Sequence, residues 1–100
     1  MKLVVLMCIE GYSEIARKLL RELKVPAFSE TEMSGYTLHD EDEATNWFAG
    51  KHNLDSSHIF FTMCDEKKAE EVLKAIGECK IKNNLNHVHA FQLAIEKFVN

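Results

Sequence analysis

No apolar run in this 100-residue chain is long enough to cross a bilayer. The start, Met1-Lys2 followed by Leu3 to Cys8, lacks the charged head, long apolar body and small-residue cleavage site of a secretory signal. The sequence therefore predicts a soluble cytoplasmic protein without membrane insertion. Cysteine is scarce: three residues, an odd number, with no Cys-x-x-Cys spacing, which argues against a disulfide framework. Cys8 and Cys64 close apolar runs and Cys79 lies on an apolar helical stripe, so all three read as packed thiols. Positive charge is scarce too. The net charge is −4, and no lysine or arginine interrupts Glu30 to Glu43, a stretch holding six carboxylates. A nucleic-acid partner needs a clustered basic face and is excluded; the acidic stretch reads as a solvated segment. No nucleophile, acid and base fall at readable spacing, since Ser13, Ser56 and Ser57 have no placed histidine partner, and the chain reads as a non-enzyme.

What the chain does have is one unit written twice. Leu3-Val4-Val5-Leu6-Met7-Cys8 leads into the helical pattern Ile15, Ala16, Leu19, Leu20, Leu23, and Ile59-Phe60-Phe61-Thr62-Met63-Cys64 leads into Ala69, Val72, Leu73, Ile76, Cys79. Sliding one onto the other superposes Met7 on Met63, Cys8 on Cys64, Leu20 on Ile76 and Val25 on Ile81. Each unit continues into an Ala-Phe pair, Ala27-Phe28 and Ala90-Phe91, that opens a further strand. Strand-helix-strand, repeated, predicts an α+β, ferredoxin-like βαββαβ sandwich: a four-stranded antiparallel sheet with two helices on one face, in a single domain spanning 1–100. The first helix spans about Tyr12 to Leu23 and stops before Pro26, whose preceding residue is pushed out of helical space. Asp65 is the expected N-cap of the second helix. Leu3–Ile9 and His58–Cys64 are nearly continuous apolar strands, as central strands covered on both faces would be. Two helices cover one face, so the other is expected to meet further copies of the chain. Glu30, Glu32 and Ser34 alternate with Thr31, Met33 and Gly35, the pattern of an edge strand with one polar side.

The connection between strands two and three, about 37–57, is long for so small a domain, which points to function. It carries Trp47, Phe48 and Lys51, large aromatics beside a flexible Gly50, and these are candidate anchors for a protein partner. Five histidines supply the remaining chemistry. His87-Val88-His89 places two imidazoles on one face of the last strand, about 7 Å apart, a common route to a transition-metal site. His58 opens a neighbouring strand and is the candidate third ligand. The alternative set is His39 and His52 with Asp40 and Glu43. Either set suits a divalent copper, zinc or nickel ion, whereas Met33, Met63 and Cys64 would suit a cuprous one.

The run Asp65-Glu66-Lys67-Lys68-Ala69-Glu70-Glu71-Val72-Leu73-Lys74-Ala75-Ile76 after an apolar strand resembles the second strand-helix of PII signalling proteins, and Phe91-Gln92-Leu93-Ala94-Ile95-Glu96 resembles that family's Phe-x-Leu-Pro-Val-Glu last strand. The resemblance implies a homotrimer, with the long connection as the T-loop that touches a target such as a transporter or enzyme. CutA-like trimers, which share the topology and associate with metals, are a close second resemblance. PII proteins hold ATP with a Gly-x-Gly-x-x-Lys-Gly stretch, a Gly-Asp-Gly-Lys loop and a late pair of arginines. Here the corresponding positions are Gly35-Tyr36, then Asn83-Asn84-Leu85-Asn86, and no arginine follows Arg21. A triphosphate needs such amides and cations, so nucleotide is expected to bind weakly or not at all. The combined expectation is a PII-like trimeric regulator that senses a small ligand or transition metal and signals through its loop. A CutA-like metal binder and a small enzyme with an inter-subunit site are the alternatives.

Overall fold

A computed structural model describes residues 1–35 and 55–99. The order is β1 (Lys2–Ile9), a single 3-10 turn (Glu10–Tyr12), α1 (Ser13–Glu22), β2 (Ser29–Gly35), β3 (Asp55–Cys64), α2 (Glu66–Asn83) and β4 (Val88–Ala94). The strands form one antiparallel sheet in the order β2-β3-β1-β4, so the two apolar strands are central, as their composition requires.

Alternation along the strands sorts the two faces. Val4, Leu6 and Cys8 of β1 join Phe60 and Cys64 of β3 in one buried cluster with Ala16 and Leu20 of α1 and Ala69, Val72 and Ile76 of α2. Both helices therefore lie on the same face, their apolar residues returning every three or four positions. The opposite face carries Leu3, Val5, Met7, Ile59, Phe61, Met63, Phe91 and Leu93, placed together by register. Val5 and Met7 in its middle are buried, while Phe61, Met63 and Leu93 toward one end are 37%, 56% and 50% exposed. No helix of the described residues covers this face, and none is long and apolar enough to cross a membrane.

Both helices end in Schellman motifs. At the end of α1, Lys24 (φ 58°) donates to the Arg21 carbonyl and Val25 to that of Leu20; at the end of α2, Asn84 (φ 52°) donates to Ile81 and Leu85 to Lys80. The first helix thus ends at Glu22, four residues before Pro26, by its own cap. Asp65 caps α2 as expected, its side chain accepting from the Lys68 amide at 2.7 Å. The Lys68 ammonium in turn reaches the Leu23 carbonyl at 2.9 Å and ties the two helices together. Thr62, buried, donates to the Ala27 carbonyl at 2.6 Å and fixes the chain where it enters β2.

Three boundaries differ from the sequence reading, the first being β2, which begins at Ser29, so that Ala27-Phe28 precedes the strand rather than opening it. β3 begins at Asp55 rather than His58, because Ser57, Ser56 and Asp55 pair with Met33, Ser34 and Gly35. Cross-strand pairing overrides the weak strand propensity of Asp and Ser there. β4 begins at Val88, so His87 precedes it and Ala90-Phe91 lies within the strand rather than opening it. The helical half of the repeat holds through Glu78, the counterpart of Glu22, after which α2 runs on to Asn83 and outgrows its counterpart.

Candidate functional site

Polar side chains gather on the helix-covered face at the end of the sheet where β2 and β3 emerge from the intervening 36–54. Cys8 pairs with both His58 and Val88, and His58 with Glu32, so Val88, Cys8, His58 and Glu32 form one row across all four strands. His58 is 6% exposed. Its Nδ1 lies 2.7 Å from Oε2 of Glu30, one pleat along β2. Arg17 from α1 grips that carboxylate with both branches, Nε to Oε1 at 2.8 Å and a terminal nitrogen to Oε2 at 3.2 Å. The same terminal nitrogen donates to Ser13 Oγ at 3.2 Å, and Ser13 donates to the Glu10 carbonyl at 2.9 Å. A continuous chain of hydrogen bonds therefore links the 3-10 turn, α1, β2 and β3.

The electrostatics follow from the contacts. Arg17 holds the Glu30 carboxyl below the usual range; desolvation opposes this and the hydrogen bond from His58 adds to it. An ionised carboxylate only accepts, so His58 Nδ1 carries the shared proton. Cys8, beside His58 in the row, is pushed up to about 11 by burial and then by the Glu30 charge, so it is a thiol at neutral pH.

A second group of ligand atoms meets at the same imidazole. One carboxylate oxygen each from Glu10 and Glu32 and a ring nitrogen of His58 lie within 4.8 Å of one another; the two acids are exposed and the histidine buried. With Nδ1 committed to Glu30, the nitrogen left to His58 is Nε2, which is buried and has no hydrogen-bond partner among the described residues. The arrangement is a carboxylate-oriented imidazole with two more carboxylates close by, a donor set suited to a divalent cation.

Of the residues singled out in the sequence, His58 is at this centre. His87 and His89 are near the same end of the sheet but apart from it. His89 pairs with Met7 and so belongs to the opposite face from His58, and His87 lies before the strand. Burial, the Lys80 ammonium and His87 hold the pKa of His89 below the ordinary imidazole value, so it is neutral at pH 7. Met33, Met63 and Cys64 are not gathered: Met33 pairs with Ser57 and Met63 with Leu3, and Cys64 is in the helix-side core. His39, Asp40, Glu43, Trp47, Phe48, Lys51 and His52 lie outside the described residues. Glu10, Arg17, Glu30 and Glu32 were not foreseen as a site. The available signal was the Glu30-x-Glu32 alternation, which puts two carboxylates on one side of a strand.

The architecture is an α+β sandwich of the PII-like type, with one polar end and one apolar face that no helix of the described residues covers. Two solved structures share it. A DUF3240 family protein from Shewanella baltica superposes with a TM-score of 0.69, covering 99% of this chain and 93% of its own, at 15% sequence identity. A protein of Thermus thermophilus assigned to PII-like signalling superposes with a TM-score of 0.63, covering 92% and 83%, also at 15% identity. No family model matches the sequence, and no curated protein matches it. The likeness is one of fold, and the chain has a divergent PII-like fold.

Proposed function

We propose that this protein is a PII-like regulator: copies assemble through the bare sheet face into a homotrimer, a small ligand or divalent transition metal is sensed at the polar end of the sheet, and residues 36–54 carry the response to a partner protein such as a transporter or enzyme. The observation that carries the reading is the division of the sheet into two faces. Phe61, Met63 and Leu93 stand exposed beside buried Val5 on a face that no helix of the described residues covers. Exposed apolar surface of that kind marks an association site, and rotation-symmetric assembly satisfies it without leaving an open edge. Trp47 and Phe48 supply anchors in the connection, and its carboxylates would steer a basic target. The site has no part in turnover on this reading, and nucleotide plays no role.

Sedimentation equilibrium at micromolar concentration is expected to give a trimer, and Phe61→Asp with Leu93→Asp a monomer. A monomeric wild-type chain would end the reading. A CutA-like trimer that merely holds metal would assemble identically, so Trp47 emission separates the two: a regulator's emission changes on ligand addition, and a passive binder's stays constant.

A further inference from the structure

We propose that Glu10, Glu32 and His58 bind a divalent first-row transition metal ion, with Glu30 and Arg17 as positioning residues that orient the imidazole. The inference rests on the regulatory reading for its purpose, since it names the ligand of that sensor, but not for its chemistry. Three observations converge. The first is the meeting of three ligand atoms within 4.8 Å, drawn from the 3-10 turn, β2 and β3. Two carboxylates so close repel each other unless a cation lies between them. Arg17 is engaged elsewhere, its recorded hydrogen bonds going to Glu30 and Ser13. The second is the orphaned nitrogen. His58 Nε2 is buried without a partner among the described residues, in a side chain held on its other nitrogen, and such an atom calls for an explanation. A metal ion supplies one, because Nε2 carries the lone pair once Nδ1 holds the proton.

The third is the second layer. Carboxylate–imidazole–metal is the arrangement by which proteins fix the tautomer and ring plane of a metal-binding histidine and raise its basicity. Here the outer carboxylate, Glu30, is itself clamped by both branches of Arg17. A single imidazole with two carboxylates favours a borderline cation such as Zn²⁺ over Mg²⁺ or Ca²⁺, which prefer all-oxygen cages. The two glutamates neutralise the charge of the dication, and with three protein ligands a coordination position stays open to water or a small ligand.

The experiment is calorimetric titration of the full chain with Zn²⁺, comparing wild type with Glu10→Gln, Glu32→Gln, His58→Gln and the double variant His87→Ala with His89→Ala. One Zn²⁺ per chain is expected, with affinity falling at least about tenfold in each of the first three variants and unchanged in the double variant. A large excess of Mg²⁺ should leave the titration unaltered. Should His58→Gln fail to fold by circular dichroism, the exposed Glu10 and Glu32 variants still decide. Absence of Zn²⁺ binding in wild type, affinity that survives both glutamate substitutions, affinity lost in the double variant alone, or displacement by Mg²⁺ would each overturn the proposal. Sedimentation of the same samples separates the two readings: a monomer that binds Zn²⁺ through these residues sinks the regulator and keeps the site, and a trimer blind to Zn²⁺ does the reverse.

Discussion

The two ends of the sheet are built from the same repeat and have been given opposite chemistry. The offset that superposes Cys8 on Cys64 also lays Lys2 on His58, and the pairing of Cys8 with His58 repeats as that of Cys64 with Lys2. The row Cys8–His58–Glu32 thus has Cys64–Lys2–Ala94 as its counterpart. Ser13 corresponds to Ala69 and Arg17 to Leu73, so the helix positions that feed the polar network at one end are apolar at the other. Meanwhile the positions that build the core stay equivalent, as with Leu20 and Ile76. Symmetry is kept where packing demands it and broken where the ion pair, the imidazole and the acids stand. A duplicated scaffold does not need the asymmetry for folding, which is the physical reason to read function at that end.

The largest expected effect tests the shared part of this comparison. Leu20→Ala and Ile76→Ala, both buried in the common core, should each cost about 2–5 kcal/mol by denaturant unfolding. A much smaller cost at one of them would show that the two halves do not bear the core equally. Next comes Cys8, whose folded pKa of about 11 lies above its ordinary 9.0. The folded state keeps the proton longer, so this contribution to stability is complete below pH 9 and declines as pH rises toward 11, by up to about 3 kcal/mol. Unfolding at pH 8 and 10.5, with and without Cys8→Ala, checks it; a loss equal in the two proteins would assign the alkaline effect to other groups.

A smaller effect belongs to the helix ends. Lys24 occupies a left-handed position that glycine adopts freely, whereas Asn84 tolerates the same geometry at the end of α2. Lys24→Gly is expected to raise stability by about 1 kcal/mol, and Asn84→Ala to lower it by a similar amount. The smallest stability effect is expected from Arg17→Leu, which copies the apolar counterpart Leu73 into the polar end. Arg17 holds the Glu30 carboxyl pKa down, so the stability it lends is present at neutral pH and is lost as pH falls through the folded pKa of Glu30. In the variant, the Glu30 resonance should titrate at higher pH by NMR with little change in melting temperature. A Glu30 titration that does not move would remove Arg17 from the account.

The scaffold was legible because it rests on local pattern. The nearly continuous apolar runs Leu3–Cys8 and Ile59–Cys64, apolar returns in both helices and the Asp65 cap are all short-range signals. The first three residues of β3 were not legible, since Asp55-Ser56-Ser57 looks like loop and becomes strand only through β2. The candidate site was hidden for the same reason. Glu10, Glu32 and His58 are far apart in sequence and come together through a 3-10 turn and a register, neither of which composition displays. His87 and His89 drew attention by adjacency, yet register puts His89 on the face opposite His58.

The most direct measurement is anomalous scattering at the zinc edge from crystals of the full chain grown with Zn²⁺. The account predicts an anomalous peak bounded by the side chains of Glu10, Glu32 and His58, with Glu30 still on the far nitrogen of the imidazole. A peak only at His87 and His89, or none near His58, would contradict it.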